Sequence, residues 1–239
     1  MIERIGHEHP LSQMIAEINS IFAEIGFVFV EGPEAETEHY NFDQLNVPKD
    51  HPSRDMQDTF WFKEEDVPEP TVLRTHTSPV QARYMETHEP PLRIIVPGKV
   101  FRNEATDATH EAQFYQLEGL CVDTGVHLGH LKGTLEYFFS KLFSGKTEVR
   151  FRPSFFPFVE PGLEVDMKIE GEGKLAGRWI EVMGAGMVHP NVLTACGIDP
   201  EVYSGFAFGM GIDRLGVMKY GVEDVRDFYT GDLRFVNQF

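Results

Sequence analysis

Two stretches, Val100-Phe101-Arg102-Asn103-Glu104 and Phe114-Tyr115-Gln116-Leu117-Glu118-Gly119, set charged and amide side chains into segments that otherwise have the apolar make-up of buried strands. Arg102, Glu104, Gln116 and Glu118 alternate with period two, so each pair shares one face of a strand. A face with a guanidinium opposite a carboxylate and an amide is a floor for a polar ligand. Phe114 has the parity of Gln116 and adds an aromatic platform to it. A second segment, Gly205-Phe206-Ala207-Phe208-Gly209-Met210-Gly211-Ile212-Asp213-Arg214-Leu215, runs a glycine-rich strand into a helix whose first turn carries Arg214. Glycines allow close backbone approach, and a helix N-terminus with an arginine attracts phosphate, which favours an anionic, nucleotide-like ligand. The stretches Arg74-Thr75-His76-Thr77-Ser78-Pro79 and Phe155-Phe156-Pro157-Phe158-Val159-Glu160-Pro161-Gly162 add prolines and paired aromatics, a wall suited to a flat apolar group.

The elements that must hold these groups follow from periodicity. Leu11, Met14, Ile15, Ile18, Ile21, Phe22 and Ile25 fall at helical spacing from Pro10 to the stop at Gly26, and Phe27 to Val30 reads as a short strand before Gly32-Pro33. Residues 39–58 are polar and aperiodic, the pattern of a long loop. Strands are expected at Thr59 to Phe62, Val72 to Thr75, Arg93 to Phe101 and Phe114 to Asp123, the last two forming a long hairpin. A helix through Leu131, Leu135, Phe138, Phe139 and Leu142 should stop at Gly145. Further strands are expected at Glu148 to Arg152, Glu164 to Ile169, Trp179 to Ala185 and Phe206 to Gly209, then a helix from Ile212 to Tyr220 closed by Gly221. Successive strands without a strict βαβ alternation imply one α+β domain, with helices packed on an antiparallel sheet.

Composition narrows the function. The 239 residues carry 21 Lys+Arg against 38 Asp+Glu, a formal charge of −17, so the surface should repel a polyanion at long range. No apolar run reaches the length of a membrane span, which suggests a soluble cytoplasmic protein. Cys121 and Cys196 read as reduced core residues. Ser144-Gly145-Lys146-Thr147 lacks the first glycine of a P-loop, because position 140 is Ser140. Gly184-Ala185-Gly186 lacks the third glycine of a dinucleotide fingerprint and reads as a tight turn or a close backbone approach. The ten histidines show no convincing zinc spacing.

The Arg102 hairpin and the Gly211-Ile212-Asp213-Arg214 junction resemble motifs 2 and 3 of the class II aminoacyl-tRNA synthetases, and the opening helix and strand ending at Gly32-Pro33 resemble their motif 1. The segments at 55–62, 74–81, 114–119, 155–166, 186–193 and 204–215 are similar to the catalytic α subunits of the bacterial phenylalanine-tRNA ligases. The resemblance runs from about His9 to the C-terminus. It implies the class II antiparallel fold and ATP-dependent formation of phenylalanyl-adenylate, followed by transfer to tRNA(Phe). It also implies a β subunit as partner, with tRNA held weakly by this chain alone. The family's N-terminal coiled-coil arm is not matched, so residues 1–239 are expected to form the catalytic domain without it.

Carried over position by position, the resemblance implies that Arg102 grips the ATP α-phosphate and the substrate carboxylate. Glu104 would accept from the adenine amino group, Phe114 would stack on adenine, and His110 and Arg214 would hold the outer phosphates. His76, Ser78, Gln116 and Glu118 would surround the ammonium and carboxylate of phenylalanine. Phe156 and Phe158 would pack on its ring, Ala207 would form the pocket floor and Glu160 would bind Mg2+. Two other readings stay open at this level: a paralogue that adenylates another amino acid, and a noncatalytic regulatory subunit. The second is disfavoured because both motif arginines are present.

Overall fold

The computed structural model describes residues 6–55, 58–143, 147–170 and 177–239. The first helix, α1 (Pro10–Glu24), opens with His9 capping Leu11 N–H and Pro10 in the first turn, and Gly26 ends it with a φ of 80°. Then follow β1 (Val28–Phe29), β2 (Ala35–Thr37), α2 (Glu38–Asn41), β3 (Thr71–Leu73), α3 (Ser78–Thr87), β4 (Leu92–Phe101) and β5 (Gln113–Asp123). The second half comprises α4 (Leu128–Leu142), β6 (Thr147–Phe156), β7 (Val159–Ile169), β8 (Trp179–Val188), α5 (Pro190–Ala195), β9 (Ser204–Gly211), α6 (Ile212–Tyr220) and α7 (Leu233–Val236).

Seven strands form one sheet in the order β1-β4-β5-β9-β8-β7-β6, and β2 pairs with β3 apart from it. Every pairing in the large sheet is antiparallel except β1 with β4, which is parallel, so the expected antiparallel sheet has one parallel edge. Parity then sorts the side chains. The odd residues of β5, such as Leu117 and Cys121, face α1, α4 and α6 in a core where Phe22 stacks on Phe138 at 4.8 Å and on Phe208 at 5.5 Å. The even residues Leu120 and Val122 face a second core made with Val80, Met85, Val192 and the turn at Phe42–Val47.

Several expected elements differ. Thr59 to Phe62 does not form a strand; one bridge, Trp61 to Val72, is all that pairs there. The described part of the long polar loop expected at 39–58 contains short helical turns at Asp43–Leu45 and Pro52–Arg54. The Arg54 guanidinium organises it, donating to Glu38 and Asp43 at 2.7 Å and to the Val47 carbonyl. The strands from β6 to β9 are longer than expected, because ladder pairing runs on through ends without simple alternation, such as Pro153 to Phe156 in β6 and Gly186 to Val188 in β8. Residue 145, the expected stop of α4, lies outside the described residues.

Candidate active site

The sheet's second face opens into a cavity of about 320 Å³. Eight of the residues singled out in the sequence line it: His76, Ser78, Arg102, Gln116, Glu118, Phe156, Phe158 and Ala207. The backbone explains why they meet. In the β4–β5 ladder Val96 stands opposite Glu118 and Gly98 opposite Gln116, so both polar side chains rise from the same face. Across β5, Ala207 pairs with Leu120 and Gly209 with Glu118. Gly209 keeps that surface open: a Cβ there would stand 3.1 Å from Glu118 Cγ and 3.2 Å from Gln116 Nε2.

Phe156 and Phe158 flank the reversal between β6 and β7, with ring centroids 6.0 Å apart and planes inclined by 22°. Their position at a hairpin end, and not in an independent loop, comes from the unexpected length of β6 and β7. Gly184 gives the Phe156 ring its place, since a Cβ on Gly184 would lie 3.0 Å from it. Thus Gly184-Ala185-Gly186 is a close approach within a strand. The same cavity is also lined by a group of apolar side chains, Leu45, Met85, Leu120, Val188 and Val192. Sequence reasoning missed this apolar group. Its signal was the helical spacing of Ser78, Gln81 and Met85, which puts all three on the cavity side of α3.

The polar groups here are short of partners. His76 Nδ1, Gln81 Nε2 and Gln116 Oε1 are buried with no hydrogen-bond partner among the described residues. Buried polar atoms in folded proteins are nearly always paired, so three orphans around one cavity mark a ligand's place. Burial, helped by the Arg102 and Arg74 cations, pushes His76 down to about 3, which leaves a neutral ring. Burial pushes the Glu118 carboxyl up to about 7 against the Ser78 hydroxyl, which donates to Glu118 Oε2. Arg102 donates from Nε to the Thr75 carbonyl at 3.1 Å. Its guanidinium carbon sits 5.0 Å from the Phe114 ring centroid.

The remaining predicted residues do not line the cavity. Glu104 lies beyond the end of β4, exposed, 4.0 Å from Arg102. His110 is exposed in the hairpin loop, where its ring meets Asp107 at 3.1 Å. Arg214 projects to solvent from the first turn of α6. Glu160 is 75% exposed and 3.3 Å from His189 Nε2. Among the described residues no group of three potential ligands is arranged to hold a metal ion. Another residue matters that the sequence did not single out in its own right: buried Arg74 donates to the Lys99 carbonyl at 2.7 Å and to the Gly32 and Pro33 carbonyls at 3.0 and 3.1 Å. It ties the end of β1 to the loop before α3.

The arrangement offers acceptors for an ammonium, a guanidinium for an anion and aromatic walls for a ring. The chain also resembles known proteins over its whole described length. Residues 2–239 match the family model of the tRNA synthetases class II core domain (F). The chain belongs to this family. It is 57% identical to the phenylalanine-tRNA ligase alpha subunit of Alkaliphilus metalliredigens, over 98% of this chain and 70% of that protein. It is 53% identical to the protein of the same name from Bacillus subtilis, over 98% of this chain and 69% of that one. Among solved structures, pyrrolysyl-tRNA synthetase from Desulfitobacterium hafniense superposes with a TM-score of 0.72 at 17% identity, covering 96% of this chain and 76% of that one. That likeness concerns the class II synthetase fold alone.

Proposed function

We propose that this chain is the catalytic α-type subunit of a phenylalanine-tRNA ligase, which activates phenylalanine with ATP to phenylalanyl-adenylate and transfers it to tRNA(Phe). The observation that carries the reading is the set of orphaned polar atoms among the side chains lining a largely apolar, phenylalanine-walled cavity. His76 Nδ1, Gln116 Oε1 and Glu118 supply acceptors for the substrate ammonium, while Arg102 is the cation available to its carboxylate and to the α-phosphate. The ring then fits between the Phe156/Phe158 wall and Ala207.

The reaction asks little covalent chemistry of the protein. The substrate carboxylate is itself the nucleophile, so the enzyme aligns it in line with the α-phosphorus and neutralises developing charge. Arg102 serves both ends of that alignment in this reading. Phe114 provides the surface for adenine, Glu104 the acceptor for its amino group, and His110 and Arg214 the cationic and donor groups for the outer phosphates. Mg2+ is held in such sites by one or two carboxylates plus the nucleotide's own phosphates, which suits the single exposed carboxylate of Glu160. Bound there, it would supply further neutralisation of the triphosphate.

Residues 1–239 act as one catalytic domain in this reading, with a β-type subunit as partner and the cytoplasm, where tRNA is charged, as the compartment. ATP–pyrophosphate exchange with a panel of amino acids, with and without an added β subunit, tests it. Phenylalanine-dependent exchange is expected. A stronger response to another amino acid would favour the paralogue reading, and no exchange under either condition would overturn the proposal.

A further inference from the structure

Pairing of β9 with β5 ends at Gly211 opposite Gln116, because the chain turns into α6 at Ile212. The next residue of β5, Tyr115, would thereby lose its ladder partner. Instead its N–H donates to Asp213 Oδ2 at 2.7 Å, a side chain standing in for the missing strand carbonyl. The other oxygen, Asp213 Oδ1, accepts from the Tyr229 hydroxyl. Asp213 is 3% exposed, so this carboxylate sits almost wholly inside the protein.

Its neighbours in sequence make the junction consequential. Tyr115 lies between Phe114 and Gln116, and Asp213 directly precedes Arg214. Tyr229 follows a short helical turn, Val225–Phe228, whose first N–H donates to the Ala108 carbonyl at 3.0 Å. Ala108 lies in the same loop as Asp107 and His110. One carboxylate therefore joins the strand carrying the aromatic platform, the helix carrying the cation and the C-terminal segment that holds down the hairpin loop.

We propose that Asp213, braced by Tyr229, is a positioning residue for the nucleotide, fixing Arg214, Phe114 and the hairpin loop relative to one another while leaving the amino-acid cavity untouched. The inference rests on the synthetase reading for the identity of the nucleotide. The junction also confers a pH signature. Burial, reinforced by the nearby Glu111 charge, raises the Asp213 carboxyl to about 6, while the Tyr229 hydroxyl, the Tyr115 N–H and its own backbone N–H hold it down. Removing the hydroxyl raises it further, so the ionised form is lost at higher pH.

The test compares the full chain, as wild type, Tyr229→Phe and Asp213→Asn, by calorimetric titration with MgATP and separately with phenylalanine, and by pyrophosphate exchange across pH 5 to 9. Tyr229→Phe should weaken MgATP binding about tenfold while phenylalanine affinity stays within about twofold. Its acid limb in kcat/KM for ATP should move up by about one pH unit relative to wild type. Glu118, which titrates near the same range, is present in both proteins and cancels in the comparison. Asp213→Asn keeps an acceptor for Tyr115 N–H, so it should fold, bind MgATP more weakly and lose the pH-dependent difference that Tyr229→Phe creates. Equal losses for both ligands, or MgATP affinity at wild-type level in both variants, would overturn the positioning role. Wild-type MgATP binding without phenylalanine-dependent exchange would instead refute the synthetase reading, and the MgATP titrations of the variants would still decide the role of Asp213.

Discussion

Glu118 is 5% exposed and protonated up to about pH 7 in the unliganded protein, whereas an unfolded glutamate titrates near 4.5. Between those values the unfolded chain gives up a proton that the folded chain keeps, so stability falls as pH rises and the loss is complete above 7. Glu118→Gln removes that cost. Its Tm should exceed the wild-type value by several degrees at pH 8 and match it near pH 4, as differential scanning fluorimetry would read. In the proposed site the same substitution would take an anionic acceptor from the substrate ammonium, so kcat/KM for phenylalanine should fall by about a hundredfold while ATP affinity is retained. A variant that is no more stable at pH 8 than wild type would contradict the buried-acid account. Ala207 is the proposed floor for the substrate ring. It faces the cavity opposite Leu120 in the ladder, and the apolar Leu45, Met85 and Val192 line the same cavity. Ala207→Gly should therefore deepen the cavity and admit para-chlorophenylalanine, shifting the kcat/KM ratio towards the larger ring. An unchanged ratio would remove Ala207 from the pocket floor.

At the scale of elements, β9 is the part of the sheet that the cavity could least tolerate in another form. Its residues at the cavity face are Ala207, Gly209 and Gly211, and the register sets Gly209 beside Glu118. Gly209→Ala would press a methyl group on Gln116 and Glu118, so KM for phenylalanine should rise about tenfold with KM for ATP nearly constant. Steady-state exchange kinetics would separate the two, and an equal rise in both would point to a general loosening of the sheet. Much of β5 and β9 was legible in the sequence: period two sorted Gln116 and Glu118 onto one face of β5, and the glycine-rich run located the strand-to-helix turn at Gly211. Less legible was whatever depended on distant partners. The turns within residues 39–58 rest on Arg54 reaching Glu38, Asp43 and Val47, and no local pattern announces such a clamp. Nor does composition say that His110, Arg214 and Glu160 stay exposed while His76 and Glu118 lose their water.

For the molecule as a whole, charge sets a limit that the site does not. A formal charge of −17 spread over a chain of 239 residues opposes the approach of a polyanion, and among the described residues many of the basic side chains that would counter it are paired with carboxylates. Arg150 and Arg152 converge on Asp166, with Arg152 also reaching Glu164 and Glu181, and Lys168 pairs with Glu148. An arginine neutralised by its own carboxylates releases no counterions from RNA, so the main source of nucleic-acid affinity is weak on this face. Binding of tRNA(Phe) by this chain alone should therefore be weaker than about 10 μM near physiological salt, and should change little in slope between 50 and 200 mM salt. Filter binding or fluorescence anisotropy over that range measures both quantities. Adding a β-type subunit should lower the apparent Kd and restore a steep salt dependence, because the phosphate contacts would then come from the partner. Tight, salt-sensitive binding by the chain alone would mean that its arginines exchange their carboxylates for phosphates, and the division of labour between the two subunits would have to be redrawn.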